Sequence, residues 1–120
     1  MKPLTRREEQ IMQIVWELGK AFIRDVVDKL PEPKPHYNTV ATLVTNLVKK
    51  GFLVGEKLGN TYCYTPTDKF KDYRENHLQE IKQKFFGNSL PKMLAYFAKD
   101  EKLSEEDINE LMDIIKSKKQ

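Results

Sequence analysis

Residues 36–65 read HYNTVATLVTNLVKKGFLVGEKLGNTYCYT. The first half has the period of an amphipathic helix. Val40, Leu43, Val44, Leu47 and Val48 fall on one face of a 3.6-residue turn. Lys49-Lys50-Gly51 predicts its end, because cations suit the negative end of the helix dipole and glycine suits the left-handed position beyond it. Phe52-Leu53-Val54 then begins a strand. Gly59-Asn60 predicts a two-residue hairpin turn with positive φ at both positions. Thr61-Tyr62-Cys63-Tyr64-Thr65 is β-branched and aromatic, hence strand-like, and Pro66 stops it.

The opposite stripe of the helix carries Thr39, Thr42, Asn46 and Lys49. Short hydroxyls and an amide reach base edges from a helix lying in a groove: Asn pairs with adenine, and the Thr methyl touches the thymine methyl. A merely solvated helix more often carries Glu and Lys there, which have better helix propensity. β-branched Thr at 39, 42 and 45 is locally unfavourable and points to selection beyond stability. Read bottom-up, the candidate DNA-facing residues are Asn38, Thr39, Thr42, Thr45, Asn46, Lys49 and Lys50, with Lys57 beside the hairpin turn as a phosphate contact. The same pattern also fits a polar face that happens to be Thr-rich, and Lys57 alone fits an ordinary surface lysine. A helix followed directly by a hairpin with a basic flank is the reading unit of a winged helix-turn-helix, in which the helix enters the major groove and the hairpin lies on the backbone.

Working outward, Thr5-x-x-Glu8 is a capping box that starts a helix at Arg6. Ile11, Met12, Ile14, Val15, Trp16 and Leu18 give this helix a broad apolar face, and Gly19 ends it. Ala21-Phe22-Ile23 reads as a short strand. Arg24 to Leu30 reads as a second helix with Val26, Val27 and Leu30 inward. Pro31, Pro33 and Pro35 make a stiff connector. The order helix, strand, helix, helix, hairpin predicts a winged-helix domain over residues 1–66.

Residues 67–120 change character. Phe70, Tyr73, His77, Leu78, Ile81 and Phe85 keep helical spacing until Gly87-Asn88 breaks it. Leu90, Met93, Leu94 and Phe97 mark a second short helix. Ser104-x-x-Asp107 caps a third, with Ile108, Leu111, Met112, Ile114 and Ile115 on its apolar side. Three such helices make a thin core alone, so 67–120 is expected to be a helical dimerisation region. Phe70, Tyr73, Ile81, Met93, Leu94, Phe97, Ile108, Leu111 and Ile115 are its candidate contacts. Packing back on the first region in a monomer is the alternative. The fold class is mainly α with a small β wing.

The 120 residues contain 39% hydrophobic and 32% charged side chains, an ordinary globular balance. The net charge is +3; residues 1–66 hold ten Lys and Arg against seven Asp and Glu, while residues 67–120 hold eleven of each. The cationic excess therefore sits with the reading helix. The longest apolar run, Met93 to Ala98, is too short to span a membrane, and MKPLTRREEQ lacks the apolar segment of a signal peptide. Cys63 is the single cysteine, consistent with a cytoplasmic chain without an internal disulfide. It is expected to pack inertly, because no cation flanks it to make a thiolate. His36, His77 and Cys63 have no zinc spacing, and no phosphate loop, nucleophile elbow or carboxylate pair is present. No metal, cofactor or enzymatic activity is expected.

Three segments, in order, resemble the BlaI/MecI/CopY penicillinase-repressor family of bacterial regulators. They are Leu4-Thr5-x-x-Glu8-x-x-Ile11-Met12-x-Ile14-Val15-Trp16, Asn38-Thr39-Val40-x-Thr42-Leu43-x-Thr45-x-Leu47-x-Lys49-Lys50-Gly51-Phe52-Leu53 and Leu103-Ser104-x-Glu106-Asp107-Ile108-x-Glu110-Leu111. The resemblance implies a homodimeric transcriptional repressor on a dyad-symmetric operator, with Thr39, Thr42 and Asn46 at the major groove and Lys57 near the wing's phosphate contact. The family often has Arg where this chain has Asn46. Its copper-responsive branch ends in a cysteine cluster that this chain lacks. Its antibiotic-responsive branch is cut by a regulatory protease at an Asn-Phe bond, for which the corresponding pair here is Tyr96-Phe97. A ligand-sensing winged-helix regulator and a winged helix used only to hold another protein are the competing expectations.

Overall fold

The computed structural model describes residues 4–100 and 102–119. Six helices and three strands follow in the order α1 (Arg6–Leu18), β1 (Ala21–Phe22), α2 (Ile23–Lys29), α3 (Tyr37–Lys49), β2 (Leu53–Leu58), β3 (Thr61–Pro66), α4 (Asp68–Phe85), α5 (Leu90–Lys99) and α6 (Glu105–Lys119). The strands form one antiparallel sheet in the order β1-β3-β2, with Ala21 opposite Tyr64 and Leu58 opposite Thr61. This is a winged helix, as the sequence predicts. One detail of the turn differs: Gly59 has φ of 65°, but Asn60 does not share the positive φ. Positive φ at the first central residue alone is the type II′ hairpin pattern.

The expected caps form. The Thr5 side chain accepts from the Glu8 N–H at 3.2 Å, and Glu8 Oε1 accepts from the Thr5 N–H at 2.9 Å, a complete capping box. At the far end of α3, Gly51 has φ of 86°. The Phe52 N–H donates to the Leu47 carbonyl at 2.9 Å, and the Gly51 N–H donates to the Val48 carbonyl at 3.0 Å. That pair of bonds is a Schellman motif. It turns the chain so sharply that Phe52, the next residue, points straight into the core. The Lys34 ammonium closes α2 by donating to the carbonyls of Val27, Asp28 and Leu30.

The chain divides into two compact units, Met1–Arg74 and Glu75–Gln120. The core of the first is Leu4, Ile11, Met12, Val15, Ala21, Val26, Leu30, Val40, Val44, Leu47, Phe52 and Leu53, joined by Phe70 and Tyr73 from α4. The division after Arg74, rather than after Pro66, follows from those last two rings. Phe70 meets Trp16 edge-on at 5.7 Å, and Tyr73 meets Phe52 edge-on at 5.7 Å. The Tyr73 hydroxyl accepts from the Leu4 N–H at 3.1 Å and donates to Glu9 Oε2 at 2.9 Å. Phe70 and Tyr73, expected on a dimer face, are only 3% and 6% exposed within this unit, which corrects their assignment. Their apolar surface is already covered by Trp16 of α1 and by Phe52, which precedes β2.

The second unit takes in the rest of α4 together with α5 and α6. Gly87 and Asn88 both have positive φ, and Ser89 caps α5 by accepting from the Lys92 N–H. Ser104 and Asp107 exchange bonds of 3.0 and 3.2 Å at the start of α6. Phe86, Tyr96 and Phe97 form an aromatic chain with ring centroids 5.7 and 5.5 Å apart. No described residue of α5 or α6 is fully buried. His77, on the same helical spacing as Phe70 and Tyr73, is exposed within the chain.

Candidate nucleic-acid interface

The two stripes of α3 separate cleanly. Val40, Val44 and Leu47 are almost wholly buried, and Leu43 packs against them. Val48, read as part of the inner face, is instead exposed. On the other side Asn38, Thr39, Thr42, Thr45 and Lys49 are exposed and Asn46 is half-buried. The core thus fixes the rotation of the helix and turns these six candidates away from it. His36 caps the helix by accepting from the Asn38 N–H at its Nδ1, 3.1 Å away.

Two of the threonines are set before any partner arrives. Thr42 Oγ1 donates to the Asn38 carbonyl at 3.0 Å, and Thr45 Oγ1 donates to the Ala41 carbonyl at 2.9 Å. Back-bonding of this kind fixes χ1 and occupies the hydroxyl proton. What each presents outward is then a methyl group and oxygen lone pairs. These suit a thymine methyl or the amino group of adenine or cytosine.

Lys50 departs from the expectation. Its Nζ lies 2.9 Å from both carboxylate oxygens of Glu8, and the Glu8 side chain is 2% exposed. Burial alone would push the Glu8 carboxyl upward. The Thr5 N–H and the Lys50 ammonium outweigh that cost and hold it below the ordinary carboxylate value. An ammonium released to a phosphate would leave this carboxylate buried and unpaired, so the Lys50 ammonium is held against α1 in this structure. The sequence offered no signal for a pair 42 residues apart. Lys69 plays a similar part. Its Nζ donates to the Lys50 carbonyl at 2.6 Å and lies 5.1 Å from the centre of the Phe52 ring. Together Glu8 and Lys69 anchor the exit of α3.

In the wing, Lys57 is exposed and pairs across the hairpin with Tyr62, next to the turn. Cys63 is buried as expected. A cleft of about 460 Å³ that the sequence did not indicate opens at the other end of α3, lined by Phe22, Ile23, Arg24, Asp25, Tyr37 and Thr61. Among the described residues no His, Cys, Asp and Glu side chains converge to hold a metal, and no helix is long and apolar enough to cross a membrane.

Comparison with known proteins agrees with this arrangement. The chain is 36% identical over 117 residues to an uncharacterized 16.5 kDa protein of Latilactobacillus sakei, covering 96% of this chain and 80% of that one. It is 29% identical over 113 residues to the penicillinase repressor of Bacillus licheniformis, covering 93% and 88%. Among solved structures the hsRosR-S4 complex superposes with a TM-score of 0.63 at 18% identity, covering 83% of this chain and 90% of that one, a likeness of fold. The sequence pattern of the family described as penicillinase repressor matches residues 4–117, from just before the cap of α1 to the last turn of α6. With the winged helix, the exposed polar stripe of α3 and that match in agreement, the chain belongs to the penicillinase repressor family.

Proposed function

We propose that this chain is a transcriptional repressor that binds duplex DNA in a sequence-specific way, as a homodimer on an operator with dyad symmetry. The observation that carries the reading is the outer face of α3, where Asn38, Thr39, Thr42, Thr45 and Lys49 are exposed while the inner face is locked into the core. Thr39, Thr42 and Asn46 read bases, and Lys49 and Lys57 meet phosphates. The winged helix of residues 1–66 makes the DNA contacts, and the helices of residues 67–120 make the dimer.

The exposed apolar side chains of the second unit support the dimer. Leu78, Ile81, Phe85, Leu94, Ile108, Met112 and Ile115 are each more than two-fifths exposed within one chain. Surfaces of that kind mark association sites on soluble proteins. The partners in this reading are operator DNA, a second copy of the chain and a regulatory protease, for which Tyr96-Phe97 is a poor substrate.

Selection of bound sequences from random duplex DNA tests the proposal. A palindromic consensus with half-sites about one helical turn, or a multiple of it, apart is expected. Thr42→Ala and Asn46→Ala should each relax the preference at one position per half-site, by about 1–3 kcal/mol. No enrichment, together with no dependence of binding on salt, would instead identify a winged helix that holds another protein.

A further inference from the structure

The cleft between the start of α2, the start of α3 and the start of β3 has no part in the reading stripe, yet it adjoins both DNA-facing elements. Tyr37, the first residue of α3, precedes Asn38 and Thr39 of the stripe directly. Thr61, the first residue of β3, follows the wing turn and pairs with Leu58, the neighbour of Lys57. A duplex strand lying on both the stripe and the wing would cross the opening between them. Arg24 supplies a cation at that opening; it is exposed and has no partner among the described residues. Tyr37 and Thr61 add exposed hydroxyl donors, and Phe22 and Ile23 add a half-buried apolar wall. Asp25 also lines the cleft, but its Oδ2 accepts the Phe22 N–H at 2.9 Å and thereby closes the first turn of α2.

We propose that this cleft seats one sugar–phosphate unit of the operator backbone. Arg24, Tyr37 and Thr61 donate to the phosphate, and Phe22 and Ile23 pack on the deoxyribose. The inference rests on the repressor reading and extends it: the contact positions the duplex against α3 without reading its sequence. The charge matches a phosphate, the hydroxyls match its remaining oxygens, and the apolar wall matches the sugar beside it.

The test is fluorescence anisotropy of the full chain with its selected duplex and with a scrambled duplex, from about 50 to about 200 mM salt. Arg24→Ala should weaken both complexes by the same factor, about tenfold. It should also reduce the slope of log K against log salt by about 1.8, the loss of one phosphate contact in each subunit of the dimer. Tyr37→Phe and Thr61→Val change no charge, so the protein's long-range field is untouched. Each should weaken both complexes by about threefold with the slope unchanged. Asp25→Asn keeps a side-chain acceptor for the cap and removes a carboxylate, so it should tighten both. Lys29→Ala, on the same helix but outside the cleft, should leave the slope nearer wild type than Arg24→Ala does. A wild-type slope in Arg24→Ala, or wild-type affinity in both Tyr37→Phe and Thr61→Val, overturns the cleft alone. A wild-type protein that binds neither duplex overturns the repressor reading and the cleft together.

Discussion

Glu8 shows how one side chain can serve three ends. It completes the cap of α1, neutralises Lys50, and through Lys50 holds the exit of α3. Because its carboxyl is held below the ordinary value when folded, the ion pair's stabilisation is fully present above the unfolded-state value. It is lost as the pH falls through the folded-state value. Urea unfolding from neutral to acid pH should show that acid limb in the wild type. Glu8→Gln keeps an acceptor for the Thr5 N–H and removes the charge. It should cost about 1–2 kcal/mol at neutral pH, less than a fully buried pair would, because Lys50 retains some water. The same variant should flatten the acid limb; a curve parallel to wild type would show that other carboxylates govern acid unfolding. At this scale, too, the threonines explain themselves. Their hydroxyl protons bond back to the helix, so the stripe can be rich in Thr without unsatisfied donors.

Among the elements, the turn from α3 into β2 decides where the wing points. A Cβ at Gly51 would meet the Lys69 side chain only at ordinary contact distance, 3.6 Å, so the objection to a side chain is the φ of 86° and not crowding. Gly51→Ala should therefore destabilise the first unit by about 1–2 kcal/mol. Thermal unfolding checks this, and an unchanged midpoint would mean that the Schellman turn relaxes at little cost. Helix α5 poses a different question. The Tyr96 ring is held edge-on by Phe86 and Phe97, with the Lys102 ammonium 5.5 Å from its centre. A protease needs the bond in an opened, extended segment, and those contacts oppose opening. Tyr96-Phe97 should stay intact when the native host is treated with a β-lactam. Mass spectrometry of the recovered protein decides the point: a fragment ending at Tyr96 only in treated cells would refute it.

At the scale of the molecule, the two units differ in how far each chain can satisfy itself. The first buries its apolar residues internally, down to Ile11, Met12, Val40 and Leu47 at zero exposure. The second leaves Phe85 73% and Ile115 51% exposed. Ile115→Asp adds a charge where a single chain already meets water, so it should spare the fold of the unit. In the proposed dimer it would bury an unpaired carboxylate and separate the subunits. Light scattering should report a dimer for wild type and a monomer for Ile115→Asp. Operator affinity should fall by orders of magnitude, since linked reading heads bind at high effective concentration. A wild-type monomer at micromolar concentration would refute the assembly.

What the sequence determined by itself was local and periodic. The spacing of Val40, Val44 and Leu47 oriented α3, Thr5-x-x-Glu8 and Ser104-x-x-Asp107 started their helices, and Gly51 and Gly59 placed the turns. Each is a signal carried within a few residues, where backbone hydrogen bonding and side-chain period act directly. Only the tertiary structure decided which groups meet across long separations. Helical spacing put Phe70 and Tyr73 in line with Ile81 and Phe85, yet packing sent the first two into the core and left the others exposed. Charge marked Lys50 as a phosphate contact, yet a carboxylate from α1 had already paired with it. Arg24, Tyr37 and Thr61 come from three separate elements and share no pattern in the chain. They meet in one cleft because the core places the starts of α2, α3 and β3 side by side.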